Sequence, residues 1–161
     1  MSRDFGLNVL QRMQELERKR CVLSTAQKVL LAETGTVEQV LSILTGSPVR
    51  VNVTRQSENK GVIKREVILM SEFGEPLIRA LSKVYCRNLP PAVVEKIRHK
   101  KAGIGSAIFA ARLETFRRIT RMGVNKEGVP YRAYRIFYRG KVAFEIREEV
   151  LLKGEVQTSV L

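Results

Sequence analysis

The sequence predicts an α+β fold, an antiparallel sheet with flanking helices. Three observations lead there. The first third of the chain repeats apolar residues at helical spacing, the period changes to two from Val49 onward, and the later strands are separated by short turns rather than by the long crossovers parallel strands require. At 161 residues the chain has the length of one domain and can bury a core without staples. Residues 1–46 are expected to be helical, 47–152 to form the sheet, and 153–161 to be a frayed tail.

Phe5, Val9, Leu10, Met13 and Leu16 recur with charges opposite, which predicts a helix over 5–20. Ser24-Thr-Ala-Gln27 has the capping-box pattern, in which a hydroxyl and an amide three residues apart satisfy each other's free backbone N–H groups; it opens a helix through Leu31. Thr36-Val-Glu-Gln39 repeats the pattern and opens a helix to Leu44, stopped by Gly46 and Pro48. Val49, Val51 and Val53 then alternate with Arg50, Asn52 and Thr54, a strand, followed by a polar turn over 56–61 and a second strand from Val62 to Met70. Gly74 and Pro76 interrupt it, and Leu77 to Val84 continue extended. Pro90-Pro91 opens a helix to about Lys100, with Pro91 in the first turn, where its missing N–H has no intrahelical partner to lose. Gly103-Ile-Gly105 reads as a kink or loop, 106–121 as helix or helix plus turn, and 125–130 as a loop. Tyr131–Tyr138, a turn at Arg139-Gly140 and Lys141–Leu152 form a closing hairpin.

Hydrophobic residues at 44% and charged residues at 28% are ordinary for a globular chain and exclude disorder. No apolar run approaches the roughly 18–20 residues of a membrane span, and Gln11, Glu15, Glu17, Arg18 and Lys19 break any secretory pattern, so a cytoplasmic protein is expected. Cys21 and Cys86 are far apart, and the single histidine, His99, sits in a Lys/Arg-rich stretch that reads as solvated surface. Neither a disulfide framework nor a metal site is expected. The net charge of +13 points to an anionic partner. Nucleic acid would need basic residues gathered on one face with aromatics between them. Lys96–Lys101 and Arg112–Arg121 are the stretches that would carry it, but the basic residues are spread along the chain and Trp is absent, which favours an acidic small molecule. The sequence sets no oligomeric state.

Strand parity singles out two charges. In Val62–Met70 one face carries Ile63, Arg65, Val67 and Leu69. In Lys141–Leu152 one face carries Val142, Phe144, Ile146, Glu148 and Val150, while Glu149 shares the polar face. An arginine and a glutamate thus point with aliphatic side chains, where a charge is costly unless paired. Either Arg65 and Glu148 hold each other, or they line a cavity that a ligand completes. The planar fork of an arginine matches a carboxylate with two parallel hydrogen bonds. The Gly103-Ile-Gly105-Ser106 stretch could offer backbone N–H groups to an anion, but it lacks the third glycine of a dinucleotide loop and the Lys-Ser/Thr of a phosphate loop.

Several blocks, in order from about Leu30 to Leu152, resemble the chorismate pyruvate-lyase family, in particular its compact archaeal and mycobacterial-type branch. They are Glu33-Thr34-Gly35-Thr36-Val37, the strand Val49–Thr54, Lys64-Arg65-Glu66-Val67-Ile68-Leu69 followed by Gly74-Glu75-Pro76, then Gly103-Ile104-Gly105, and last Tyr134, Ile136, Gly140-Lys141 and Ile146-Arg147-Glu148. The resemblance implies an antiparallel sheet with helices on one side enclosing an internal ligand cavity. It implies removal of pyruvate from chorismate to give 4-hydroxybenzoate, with no metal or organic cofactor. Carried over by position, Arg65 holds the ring carboxylate and Glu148 lies near the ring hydroxyl and ether oxygen. The backbone at Val37 and at Ile104, beside Gly105, borders the carboxylate, and Ala80 stands where the family has a glycine beside the hydroxyl. Glu148, in a partly apolar pocket, would donate or share a proton. Glu149 is an alternative alignment for that glutamate. Thr34 and Glu38 depart from the family, standing where it has Asp and Thr. A non-catalytic module that binds a small aromatic carboxylate is the alternative function.

Overall fold

Alternating Ile63, Val67 and Leu69 against Lys64, Glu66 and Ile68 specify a strand with one buried face. In the computed structural model, which describes residues 5–19 and 22–153, that strand sits in a six-stranded sheet. Its strands are β1 (Arg50–Asn59), β2 (Val62–Met70), β3 (Pro76–Tyr85), β4 (Thr115–Val124), β5 (Pro130–Tyr138) and β6 (Lys141–Val150), in the order β1-β2-β3-β6-β5-β4. Every neighbouring pair is antiparallel. The α+β antiparallel architecture expected from the sequence is the one observed.

The helices are α1 (Phe5–Lys19), α2 (Thr25–Ala32), α3 (Val37–Thr45), α4 (Pro91–Arg98) and α5 (Ile104–Ala110). Their apolar sides meet one face of the sheet in two clusters. Val93, Val94, Ile97, Ala107 and Ile108 pack on Ile63, Phe144, Ile146 and Ile136. Met13, Leu30, Leu31 and Leu41 pack on Val67, Leu69, Ile78 and Val150. Each fully buried aliphatic side chain there stabilises the fold by roughly 1.5–3 kcal/mol. The other face of the sheet is open, and an open hollow of about 470 Å³ on it is lined by Lys64, Leu81, Lys83, Arg135, Glu145 and Arg147. No helix among the described residues is long and apolar enough to cross a membrane.

The capping box at Ser24 forms in full, with Ser24 Oγ accepting from the Gln27 N–H and Gln27 Oε1 accepting from the Ser24 N–H. The one expected at Thr36 does not: Thr36 begins α3 but its side chain makes no cap bond. Gly46 ends α3 in the left-handed conformation, φ 68°. Three segments differ from the expectation. Ile104 and Gly105, read as kink or loop, form the first turn of α5, with Gly103 as its cap residue. The polar residues 56–59 continue β1 instead of turning, and only Lys60 and Gly61 turn, both at positive φ as a two-residue hairpin demands. β1 is an edge strand with one neighbour, so polar side chains there stay solvated. Residues 115–124 are the other edge strand, β4, where 106–121 were expected as helix or helix plus turn; helix α5 ends at Ala110. Thr115, Phe116, Ile119 and Thr120 are strand-forming types, and the arginines between them lie on an edge where charge is tolerated. The tail from residue 154 onward, and Cys21, lie outside the described residues.

Candidate functional site

The register aligns the site in two rows across the helix-covered face. One row runs Gln56, Arg65, Ser82, Ile146, Tyr134 and Ile119. The next runs Val53, Val67, Ala80, Glu148, Arg132 and Met122. Arg65 and Glu148 are both 3% exposed, so the inward direction read from parity holds for each. Val142 departs from its expected face, because an irregularity in the β5–β6 pairing sets it opposite Phe137. Glu149 lies on the open face and pairs with Arg79 at 2.6 Å, which separates it from Glu148.

Arg65 and Glu148 do not hold each other. They stand on β2 and β6 with β3 between, about 10 Å apart by strand spacing. Glu148 is held by its neighbour across the β5–β6 hairpin: Arg132 Nε donates to Glu148 Oε2 at 2.8 Å, and the Tyr134 hydroxyl donates to Oε1 at 2.7 Å. Arg132, 1% exposed, also donates to the Glu33 carboxylate and to the Glu33 main-chain carbonyl, which fastens the end of α2 to the sheet. Burial alone would loosen the hold of the Arg132 guanidinium on its proton, but Glu148, Tyr134 and Glu33 around it raise its pKa above the ordinary arginine value. The Tyr134 phenol is pushed well above its ordinary pKa by burial and by Glu148, against the opposing pull of Arg132 and Arg117, and so stays a neutral O–H donor. Its ring lies under two guanidinium groups, Arg132 at 4.7 Å and Arg117 at 5.6 Å.

Arg65 is differently placed. Its Nη2 donates to the Ala102 carbonyl at 3.0 Å, while Nε and Nη1 are buried with no hydrogen-bond partner. Burial lowers its pKa and the charge of Glu38 partly offsets the effect. Glu38, on α3, shows the converse: burial raises its pKa, against Arg65 and a hydrogen bond from the Ser106 N–H. Arg65 lines a pocket between sheet and helices with about 50 Å³ of free space. Val37, Arg65, Ala80, Ile104, Gly105 and Glu148, the residues expected at the site, all line it, with Glu38, Arg117 and Tyr134 among their companions. Val37 and Ile104 open helices α3 and α5, which brings both N-terminal turns to the pocket wall. The larger hollow on the open face is bordered by solvated charges on the residues that point outward there.

The sequence reading did not single out Arg132, Glu33 or Glu38 as functional. Arg132 shares parity with Tyr134 and Ile136, so the test that found Arg65 would have found it. Glu148 takes one contact on each oxygen, from Arg132 Nε and from the Tyr134 hydroxyl.

No family model matches the chain. It is similar to the protein "Putative lyase MJ0807" of Methanocaldococcus jannaschii, 30% identical over 152 residues that span 83% of this chain and 82% of the relative.

Proposed function

The chain belongs to the lyase-like family of its Methanocaldococcus relative, and from that premise we propose that it removes pyruvate from chorismate, leaving 4-hydroxybenzoate, with no metal or organic cofactor. The observation that carries the reading is Arg65: it lines the pocket, and two nitrogens of its buried guanidinium have no hydrogen-bond partner, a donor set that suits a carboxylate. In this reading Arg65 takes the ring carboxylate and the N-terminal turns at Val37 and Ile104–Gly105 border it. Ala80 lies beside the ring hydroxyl. Glu148, fixed by Arg132 and Tyr134, accepts from that hydroxyl with its remaining lone pairs.

The chemistry asks little of the protein beyond placement. The bond from the ring to the ether oxygen breaks. The ring carbon bearing the hydroxyl gives up its hydrogen, and the departing enolpyruvyl group gains a proton at its methylene carbon to leave as pyruvate. Atoms balance without water or a redox partner, and the ring becomes aromatic, which drives the reaction forward. Holding the reactive conformer supplies proximity. The Arg117 guanidinium, which also lines the pocket, favours negative charge moving onto the departing oxygen. The pocket has about 50 Å³ of free space, below the roughly 300 Å³ or more usual for small-molecule sites, so a ring-sized substrate requires it to widen.

The purified protein, incubated with chorismate, should release 4-hydroxybenzoate and pyruvate in equal amounts, and Arg65→Ala should abolish both. No release by the wild type would overturn the reading. Stabilisation by 4-hydroxybenzoate without turnover would point instead to a binding module.

A further inference from the structure

Arg65 is not alone in facing its pocket. Glu38 lines the same wall from α3, near enough for the two charges to act on each other. Yet Nη2 of Arg65 bonds to Ala102 while Nε and Nη1 have no partner, so Glu38 faces the guanidinium without bonding to it. The carboxyl of Glu38 fills the place where a side chain at position 103 would begin: a Cβ on Gly103 would lie 2.0 Å from Glu38 Oε1. Glycine at 103 therefore makes the room in which this carboxyl sits.

The charges around Glu38 can be counted. Arg65 faces the pocket from β2, Arg117 from β4, the neutral Tyr134 from β5 and Glu148 from β6. Helix α5 presents the Ser106 N–H, and Glu38 is the one charged residue of α3. Behind these, Arg132 is matched by Glu148 and Glu33. Arginines and glutamates are thus already in balance before any ligand arrives. An incoming carboxylate adds one negative charge beside Glu38, and two carboxylates sharing one cation out of water are relieved when one of them takes a proton. Glu148 is tied on both oxygens by Arg132 and Tyr134. Glu38 has only one backbone N–H and the field of Arg65.

We infer that Glu38 sets the charge the site accepts: a ligand carboxylate binds Arg65 together with one proton, and Glu38 keeps that proton. The inference rests on the carboxylate site proposed above. Glu38 is then a specificity-determining residue, because a monoanion enters with its charge cancelled and a second ligand charge must find its own partner, for which Arg117 is the other arginine lining the pocket. The burial that already favours the protonated form of Glu38 acts in the same direction.

Titration calorimetry with 4-hydroxybenzoate, in two buffers of different ionisation heat, reads the proton directly. At a pH where Glu38 is ionised in the free protein, up to one proton should be taken up per ligand, and affinity should fall as pH rises by up to about tenfold per pH unit. Glu38→Gln, which keeps the shape and cannot titrate, should take up none and bind with a flat pH profile. The neutral 4-hydroxybenzamide should carry no proton with either protein. Wild-type binding without proton uptake, or uptake that persists in Glu38→Gln, removes this inference and leaves the proposed function standing. Failure of 4-hydroxybenzoate to bind at any pH removes both.

Discussion

Arg132 and Arg65 project from the same face of one sheet into the same layer, and exposure differs little between them, at 1% and 3%. Their surroundings differ completely. Arg132 is enclosed by the Glu148 carboxylate, the Glu33 carboxylate and the Glu33 carbonyl. Arg65 has the Ala102 carbonyl and two empty nitrogens. Taking a guanidinium out of water costs several kcal/mol in either case. For Arg132 the chain offsets that cost itself and gains a clasp between α2 and the β5–β6 hairpin. For Arg65 the offset is left open, so a partner from outside the chain finds it worth more than a solvated arginine would be. Burial alone does not separate a structural charge from a binding one; the count of unmet donors does.

The comparison can be broken by exchanging each arginine for an apolar residue. Arg132→Leu should have the largest effect, a loss of about 3–5 kcal/mol, because it strands two carboxylates in the interior. A urea melt at pH 7 measures it. Arg65→Met should shift the same midpoint by less than about 1 kcal/mol in either direction, since it removes an unmet charge as well as one hydrogen bond. It should nevertheless abolish binding of aromatic carboxylates. Equal losses for the two variants would show that both arginines are structural. The smallest effect belongs to Glu38→Gln. A carboxyl whose pKa is raised in the folded state favours folding below its unfolded pKa and loses that contribution as pH rises through the folded value. The substitution should therefore raise the thermal midpoint slightly near pH 7 and not near pH 4, and a gain of the same size at both pH values would contradict the assigned burial.

The inward charges on β2 and β6 were legible because a period of two in an aliphatic strand makes a misplaced Arg65 or Glu148 stand out. The partner of Glu148 was equally legible on β5, where Arg132 alternates with Tyr134 and Ile136. Glu38 was not. Its role depends on the approach of Gly103 from a segment more than sixty residues away, and no local pattern encodes that. The edge strands were the weakest part of the fold reading for a related reason. With one neighbour each and polar side chains free to stay wet, the 56–59 stretch of β1 and the arginines of β4 need little alternation to be strands.

The pairing of β3 with β6 carries a consequence for how the pocket comes into being. Arg65 belongs to the β1-β2-β3 meander, and Glu148, Arg132 and Tyr134 belong to the β4-β5-β6 meander. Each meander is built from neighbours in sequence, and hairpins of that kind form within about 1–10 μs. The two halves of the sheet join along the β3–β6 ladder, from Ile78 opposite Val150 to Val84 opposite Phe144, positions 60 to 72 residues apart, which is the slow, loop-closing step expected of non-local contacts. The proposed carboxylate site therefore needs both halves of the sheet. A chain trapped with both meanders complete but unjoined would show most of its strand content and bind nothing, so recovery of ligand binding during refolding should lag recovery of secondary structure and report on that one seam.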